Sequence, residues 1–343
     1  MSLVTLLKPS RFRDWRQRRR IEVLHETLAI TRQNGTRIAN IAMANLERWA
    51  KDKPAATNAT CKVLVFEGDL LDTAQRLTIE HGVMFACLNM ANAVFPGGGY
   101  TEGCSAQEEN MVRRTPLHDT FGPEVAERRG GDTVYTKEMT DLLNAVNGEV
   151  YLSAEPVVCI RGCEHYDAKP SLGYTLYSEN SIFPFKELRA AAIDLRGKKR
   201  RRDSDDSFAI HAEMTQRIRA QFETLKNAGV RHVVLSAFGC GAFKNDPVLV
   251  ASAYAETIRC YKDDFAVIAF AIYYAGHSES NYAIFKALLQ NVMQKPKRRR
   301  ADDQAAAEEV TCANCGHCVP VQQLSADDVD EAFNDSYICA SCA

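Results

Sequence analysis

The sequence predicts an α/β fold. Short apolar runs of strand length alternate with helical stretches over most of the chain, and glycine-rich turns follow two of those runs. At 343 residues there is room for one large domain and a small module, or for two ordinary domains. A hydrophobic fraction of 46% with 25% charged residues is that of a globular protein. The formal net charge of −2 excludes a surface that is a nucleic-acid footprint throughout.

Residues 15–52 read as helix. Ile21, Leu24 and Leu28, then Ile38, Ile41 and Leu46, recur near every third or fourth position, with a break predicted at Asn34-Gly35 and an end near Pro54. Strand-like runs follow at 62–66, 83–88, 157–160, 191–195, 232–235 and 266–274. Helical stretches at 211–227, 247–261 and 280–293 separate the later ones, so the sheet is mostly parallel or mixed. Residues 197–206 (GKKRRRDSDD) are too polar for a core and read as an exposed loop.

No run of about 18 apolar residues is present, so no membrane span is expected. The apolar start precedes Arg11, Arg13, Arg16, Arg18, Arg19 and Arg20, the reverse of a secretory signal. Asp14, Glu22 and Glu26 argue against a transit peptide, and an intracellular protein, cytoplasmic or nuclear, is expected. The chain divides into a helical extension (1–58), an α/β domain (59–293), a basic and polar linker (294–309) and a cysteine-rich end (310–343).

The richest segment runs from Asn89 to Asn110. A strand leads into Pro96-Gly97-Gly98-Gly99, then a short loop, then a helix starting near Gln107-Glu108-Glu109. Glycines after a strand let backbone amides approach a phosphate closely, and a helix N-terminus favours anions. Alone, Glu108 and Glu109 would merely stabilise the first helical turn. Beside an anion site, two carboxylates need a chemical reason. The pattern fits neither the dinucleotide fingerprint nor the P-loop.

A second loop repeats the theme. The run 232–235 leads into Phe238-Gly239-Cys240-Gly241-Ala242-Phe243, with Pro247 at a first helical position. Two such loops at the carboxyl ends of strands can face each other across a crevice and hold a diphosphate. Phe243 or Phe238 would then stack on a ring. Cys240 has no His or Asp placeable beside it and reads as a small packing residue.

These segments resemble the signature of microbial-type poly(ADP-ribose) glycohydrolases: Gly-Gly-Gly, seven residues, then Gln-Glu-Glu. The preceding Leu-Asn-Met-Ala-Asn-Ala and the later Ala-Phe-Gly-Cys-Gly-Ala-Phe match in order, and the resemblance covers about 20–293. It implies a macrodomain-like, three-layer α/β/α domain with a mixed sheet. It further implies that Glu109 is the catalytic acid/base, that Glu108 fixes the distal ribose, and that Asn92 contacts it, with Gln107 at the same site. Gly97, Gly98 and Gly99, with Gly239, Cys240, Gly241 and Ala242, would cradle the diphosphate, and Phe243 would lie against ribose or phosphate. Glu67 or Asp69 would reach the adenine side.

The implied reaction splits a ribose–ribose glycosidic bond, exo-acting, through an oxocarbenium-like state. Glu109 would protonate the departing oxygen and then activate water, its proton affinity raised by Glu108 and the diphosphate. No catalytic cofactor is implied. Two rival readings share the site: release of single ADP-ribose from proteins, and a non-catalytic ADP-ribose reader.

Five of the twelve cysteines lie between Cys312 and Cys342. Cys312-x2-Cys315 and Cys339-x2-Cys342, 23 residues apart, predict a structural zinc-ribbon-like site, with Cys318 and His317 as alternative ligands. So short a module could not bury a core without metal. A protein or nucleic-acid partner is expected for it. The basic blocks 198–202 and 296–300 are import signals, attractors of a polyanion, or solvated loop and linker. His118, His165, His211, His232 and His277 lack ligand spacing, and the other seven cysteines read as small hydrophobes.

Overall fold

The structure is a computed structural model; it describes residues 14–51, 53, 60–196, 204–274, 280–290 and 292, and the backbone at 309–311 and 318–320. The order is α1 (Trp15–Ala50), β1 (Lys62–Glu67), α2 (Leu70–His81), β2 (Ala86–Met90), α3 (Gln107–Arg114), β3 (Ala126–Arg129), β4 (Asp132–Tyr135), α4 (Lys137–Leu143), β5 (Tyr151–Leu152), β6 (Val157–Cys159) and β7 (Phe183–Ala190). Then come α5 (Ser204–Asn227), β8 (His232–Leu235), α6 (Pro247–Tyr261), β9 (Val267–Ile272) and α7 (Asn281–Leu289). A separate antiparallel pair, β10 (Glu309–Thr311) and β11 (Cys318–Pro320), follows.

The main sheet runs β1-β9-β8-β2-β7-β5, and β6 also pairs with β7. The first five strands are mutually parallel, while β5 and β6 are antiparallel to β7, so the sheet is mixed. Helix α1 packs on both α2 and α3, and α6 packs on both α5 and α7 to form a second group. The result is the three-layer α/β/α arrangement. From β2 the chain steps outward to β7, then crosses back over β2 to β8 and on to β9. Adjacent parallel strands β2 and β8 thus leave in opposite directions, which opens a crevice at their carboxyl ends. Both glycine loops start there.

Three readings of the sequence need correction. Helix α1 runs unbroken through Asn34-Gly35 for 36 residues. A single helical glycine costs only about 1 kcal/mol, and beyond it Ile38 and Ala42 bury against Val158, Ile160 and Ile182. The strand expected at 191–195 lies one segment earlier, at β7, where Lys186, Glu187 and Arg189 disguise the apolar alternation. Helix α5 starts at Ser204, inside the expected loop, and α2, with an Asp69 side-chain cap, went unread.

The N-terminal helix shares the core of the sheet. Its Leu24 and Leu28 are buried in the same cluster as β2 and β7 residues such as Leu88 and Phe185. Arg20 makes a bidentate pair with Glu164 and donates to the Gly103 carbonyl in the loop before α3. Leu24→Ala should therefore destabilise the whole domain by about 2–5 kcal/mol. Chemical denaturation checks this; an unchanged midpoint would show that α1 docks only peripherally.

Candidate active site

Helix α3 begins at Gln107, as its Gln-Glu-Glu predicts, and its first turn carries Glu108 and Glu109 with no side-chain cap at Ala106. Acid in the first turn suits the helix dipole, but here the carboxylates also reach the first glycine loop. Glu108 Oε2 accepts from the Asn92 amide at 2.7 Å and its Oε1 from the Gly97 amide at 3.1 Å. Glu109 Oε1 accepts from the Gly99 amide at 2.9 Å. The Gly98 amide donates to the Phe95 carbonyl at 2.9 Å. All three glycine amides, expected to face a diphosphate, are thus engaged within the protein.

Gly98 shows why the loop is glycine. Its φ is +59°, and a Cβ there would lie 2.6 Å from Glu109 Oε1 and 3.1 Å from Glu108 Oε2. No L side chain fits, in backbone or in space. Asn92 shapes the turn, its Oδ1 accepting from the Val94 and Phe95 amides at 2.8 and 2.9 Å.

The Gln107 side chain is engaged by the end of β2. Strands β2 and β8 pair only at Ala86 and Cys87. Past that point Gln107 replaces the missing partner: Oε1 accepts from the Met90 amide and Nε2 donates to the Leu88 carbonyl, both at 2.9 Å. Its side chain stitches α3 to the end of β2 and so registers the carboxylates against the loop.

Both carboxylates are buried, Glu108 at 3% and Glu109 at 8% exposure. Burial first, then the neighbouring Glu109 charge, pushes the Glu108 carboxyl well above the ordinary carboxylate range, against the pull of the Asn92 amide and Arg189. Both Glu108 oxygens are engaged by backbone amides, whereas Glu109 has one oxygen fixed and Oε2 accepts from no group among the described residues.

The second loop is built differently. Asn245 clamps it, Nδ2 donating to Gly239 O at 3.1 Å and to Ile193 O at 2.8 Å. Gly239, at φ +72°, packs so closely that a Cβ would sit 2.4 Å from Ala192 Cβ. The Cys240 amide donates to Ala237 O at 3.0 Å. Among the described residues the Gly241, Ala242 and Phe243 amides donate to no protein acceptor, and Gly241 and Ala242 are exposed. This loop keeps an open set of donors.

Phe243 is half-buried under the Arg196 guanidinium, 4.8 Å from its ring centroid. Phe238 is fully buried in the main core and cannot stack on a ligand. Burial raises the Cys240 thiol's proton affinity, as expected of a packing residue. Asp69 caps α2 and accepts from Asn110 Nδ2 and from Arg114 Nη1 at 2.6 Å, so it links α2 to α3. Glu67 remains exposed at the end of β1. Cys61, Cys87, Cys159 and Cys163 are buried, but Cys104 is exposed. Asn245, which clamps the second loop, and Phe121, which lies against Gly97, were not singled out from the sequence; an Asn before Asp246-Pro247 was the available signal for the first. Cys312, Cys315, Cys339 and Cys342, the histidine alternative at 317 and both basic blocks lie outside the described residues.

Residues 17–139 match the family model of the microbial-type poly(ADP-ribose) glycohydrolase catalytic domain. Over that span the chain is similar to this family. A poly(ADP-ribose) glycohydrolase structure from Thermomonospora curvata is similar at 22% identity and a TM-score of 0.54, covering 78% of this chain and 98% of that one. The same enzyme bound to the inhibitor ADP-HPD gives 21% and 0.51, again over 78% and 98%. The Deinococcus radiodurans glycohydrolase in complex with ADP-ribose gives 21% and 0.50 over 76% and 92%. No curated protein matches. At such identities the structures establish a shared fold.

The raised Glu108 carboxyl has a stability consequence. A carboxyl that binds its proton more tightly folded than unfolded contributes stability fully at pH below about 4.3, lost as pH rises through the folded value. Glu108→Gln lacks that loss, so its melting temperature relative to wild type should climb between pH 4.5 and neutrality. A pH-independent difference would contradict the burial argument.

Proposed function

We propose that the chain is a poly(ADP-ribose) glycohydrolase that hydrolyses the ribose–ribose bond from the chain end and releases ADP-ribose. The observation that carries the reading is the asymmetry of the paired glutamates: both Glu108 oxygens hold backbone, while Glu109 is held by one oxygen and keeps the other for chemistry. The match of residues 17–139 to the glycohydrolase family supports it.

In this reading the diphosphate lies on the Gly241, Ala242 and Phe243 amides. Gly97, Gly98 and Gly99 permit close approach by lacking side chains, and the Gly97 and Gly99 amides orient the acids. Asn92 contacts the distal ribose, and Phe243 packs beside it. Glu109, as the general acid, donates its carboxyl proton to the departing ribose oxygen as the glycosidic bond breaks toward an oxocarbenium ion. The resulting carboxylate takes a proton from a water whose oxygen bonds to the anomeric carbon, which regenerates the acid. Glu108 holds the loop that sets this geometry. A reader of ADP-ribose needs no acid at this spot.

Glu109→Gln keeps the Gly99 hydrogen bond but cannot donate a carboxyl proton. It should lower turnover of poly(ADP-ribose) at least 10²-fold, a general-acid-sized loss, with ADP-ribose binding retained. Retained turnover would overturn the assignment, and turnover only of singly modified proteins would redirect it to the acceptor-side alternative.

We further propose a structural zinc held by Cys312, Cys315, Cys339 and Cys342, supported by the two C-x2-C pairs and by the antiparallel β10–β11 pair that brackets the first of them. Metal analysis of the dialysed full-length chain should return one zinc per molecule, lost in Cys339→Ser/Cys342→Ser. A wild-type chain without stoichiometric zinc would remove the proposal.

A further inference from the structure

Beneath the first glycine loop lies a buried cation that the proposed reaction does not use. Arg189, on β7, is 1% exposed and bidentate to Glu187, Nε to Oε1 at 2.8 Å and Nη2 to Oε2 at 2.7 Å. Asn89 on neighbouring β2 donates to the same Glu187 Oε1 at 2.6 Å. Three rings surround the guanidinium: Tyr151 at 4.7 Å, Phe121 at 5.1 Å and Tyr135 at 6.0 Å.

Two of those residues also touch the loop, Phe121 through its ring and Tyr135 through its backbone. A Cβ on Gly97 would meet Phe121 at 3.1 Å, and the Tyr135 amide donates to the Val94 carbonyl at 2.7 Å. We infer that Arg189 is a positioning residue of this site, a buried cation that braces the first glycine loop from below and faces the Glu108 carboxylate. The inference rests on the functional reading above and adds to it a residue absent from the loop and helix motifs.

The groups facing Glu108 are Glu109 on its own helix, the Asn92 and Gly97 amides, Arg189 and Glu187 from β7, Tyr135 from β4, and Tyr100. Arg189 favours the ionised carboxyl, and Glu187 and Glu109 oppose it. An ionised Glu108 can accept from both amides at once; a protonated one gives up one acceptor position. Loss of the cation therefore keeps Glu108 protonated, and one amide less well held, at a pH where the wild-type carboxylate accepts from both.

The test uses the full chain as wild type, Arg189→Met, Glu187→Gln, and the double variant. Two pH profiles are read, kcat/KM on poly(ADP-ribose) and the melting temperature, the second needing no substrate. In Arg189→Met the acid limb of kcat/KM should move up by about one pH unit or more, and the fall in melting temperature with rising pH should likewise move to higher pH. Glu187→Gln should move both down, and the double variant should fall between. A folded Arg189→Met with an unmoved limb overturns the inference, as does a double variant shifted as far as the single. Should Arg189→Met fail to fold, an unmoved limb in folded Glu187→Gln overturns it equally. Absence of wild-type turnover sinks the functional reading alone, because the melting profile still reports on Arg189.

Discussion

Backbone amides of a glycine turn donating to two acids at the start of a helix are the interaction on which this site depends. Asn92, Gly97 and Gly99 supply the amides; Glu108 and Glu109 supply the acceptors. Charge-assisted hydrogen bonds of this kind are among the stronger ones in proteins. They offset the cost of burying two acids side by side, and they fix the Glu109 side chain without occupying both of its oxygens. The dipole of α3 helps, since both acids sit in its first turn.

That arrangement needs the sheet to part at the right place. Strand β2 leaves β8 after Cys87 but stays with β7 to Met90. The gap admits α3, and Gln107 restores the lost rungs. On the far lip, Asn245 ties the second loop to the Ile193 carbonyl beyond β7, which leaves Gly241 and Ala242 projecting with unengaged amides. One loop is thus built to hold acids, the other to offer donors. A diphosphate ester with a scissile sugar bond presents the complementary pair of features.

Much of this was legible in the residue order. The glycine runs, the start of α3 at Gln107, the strand at 232–235 and the helix at 247–261 all follow from turn chemistry and apolar spacing. What stayed hidden was contact across the fold. Nothing local says that Gln107 completes a strand, that the amides of Gly97 and Gly99 face carboxylates, or that Phe238 points into the core while Phe243 does not. Strand β7 was misplaced because Glu187 and Arg189 pair within it: a buried ion pair looks polar in sequence and neutral in the fold. The helix through Gly35 shows tertiary burial overriding a local breaker.

The most direct test of the account is a crystal structure of Glu109→Gln with ADP-ribose bound. The account places the diphosphate on the amides of Gly241 and Ala242, with the residue-109 side chain within about 3 Å of the anomeric oxygen. A nucleotide bound elsewhere, or a residue-109 side chain turned away from the sugar, would contradict it.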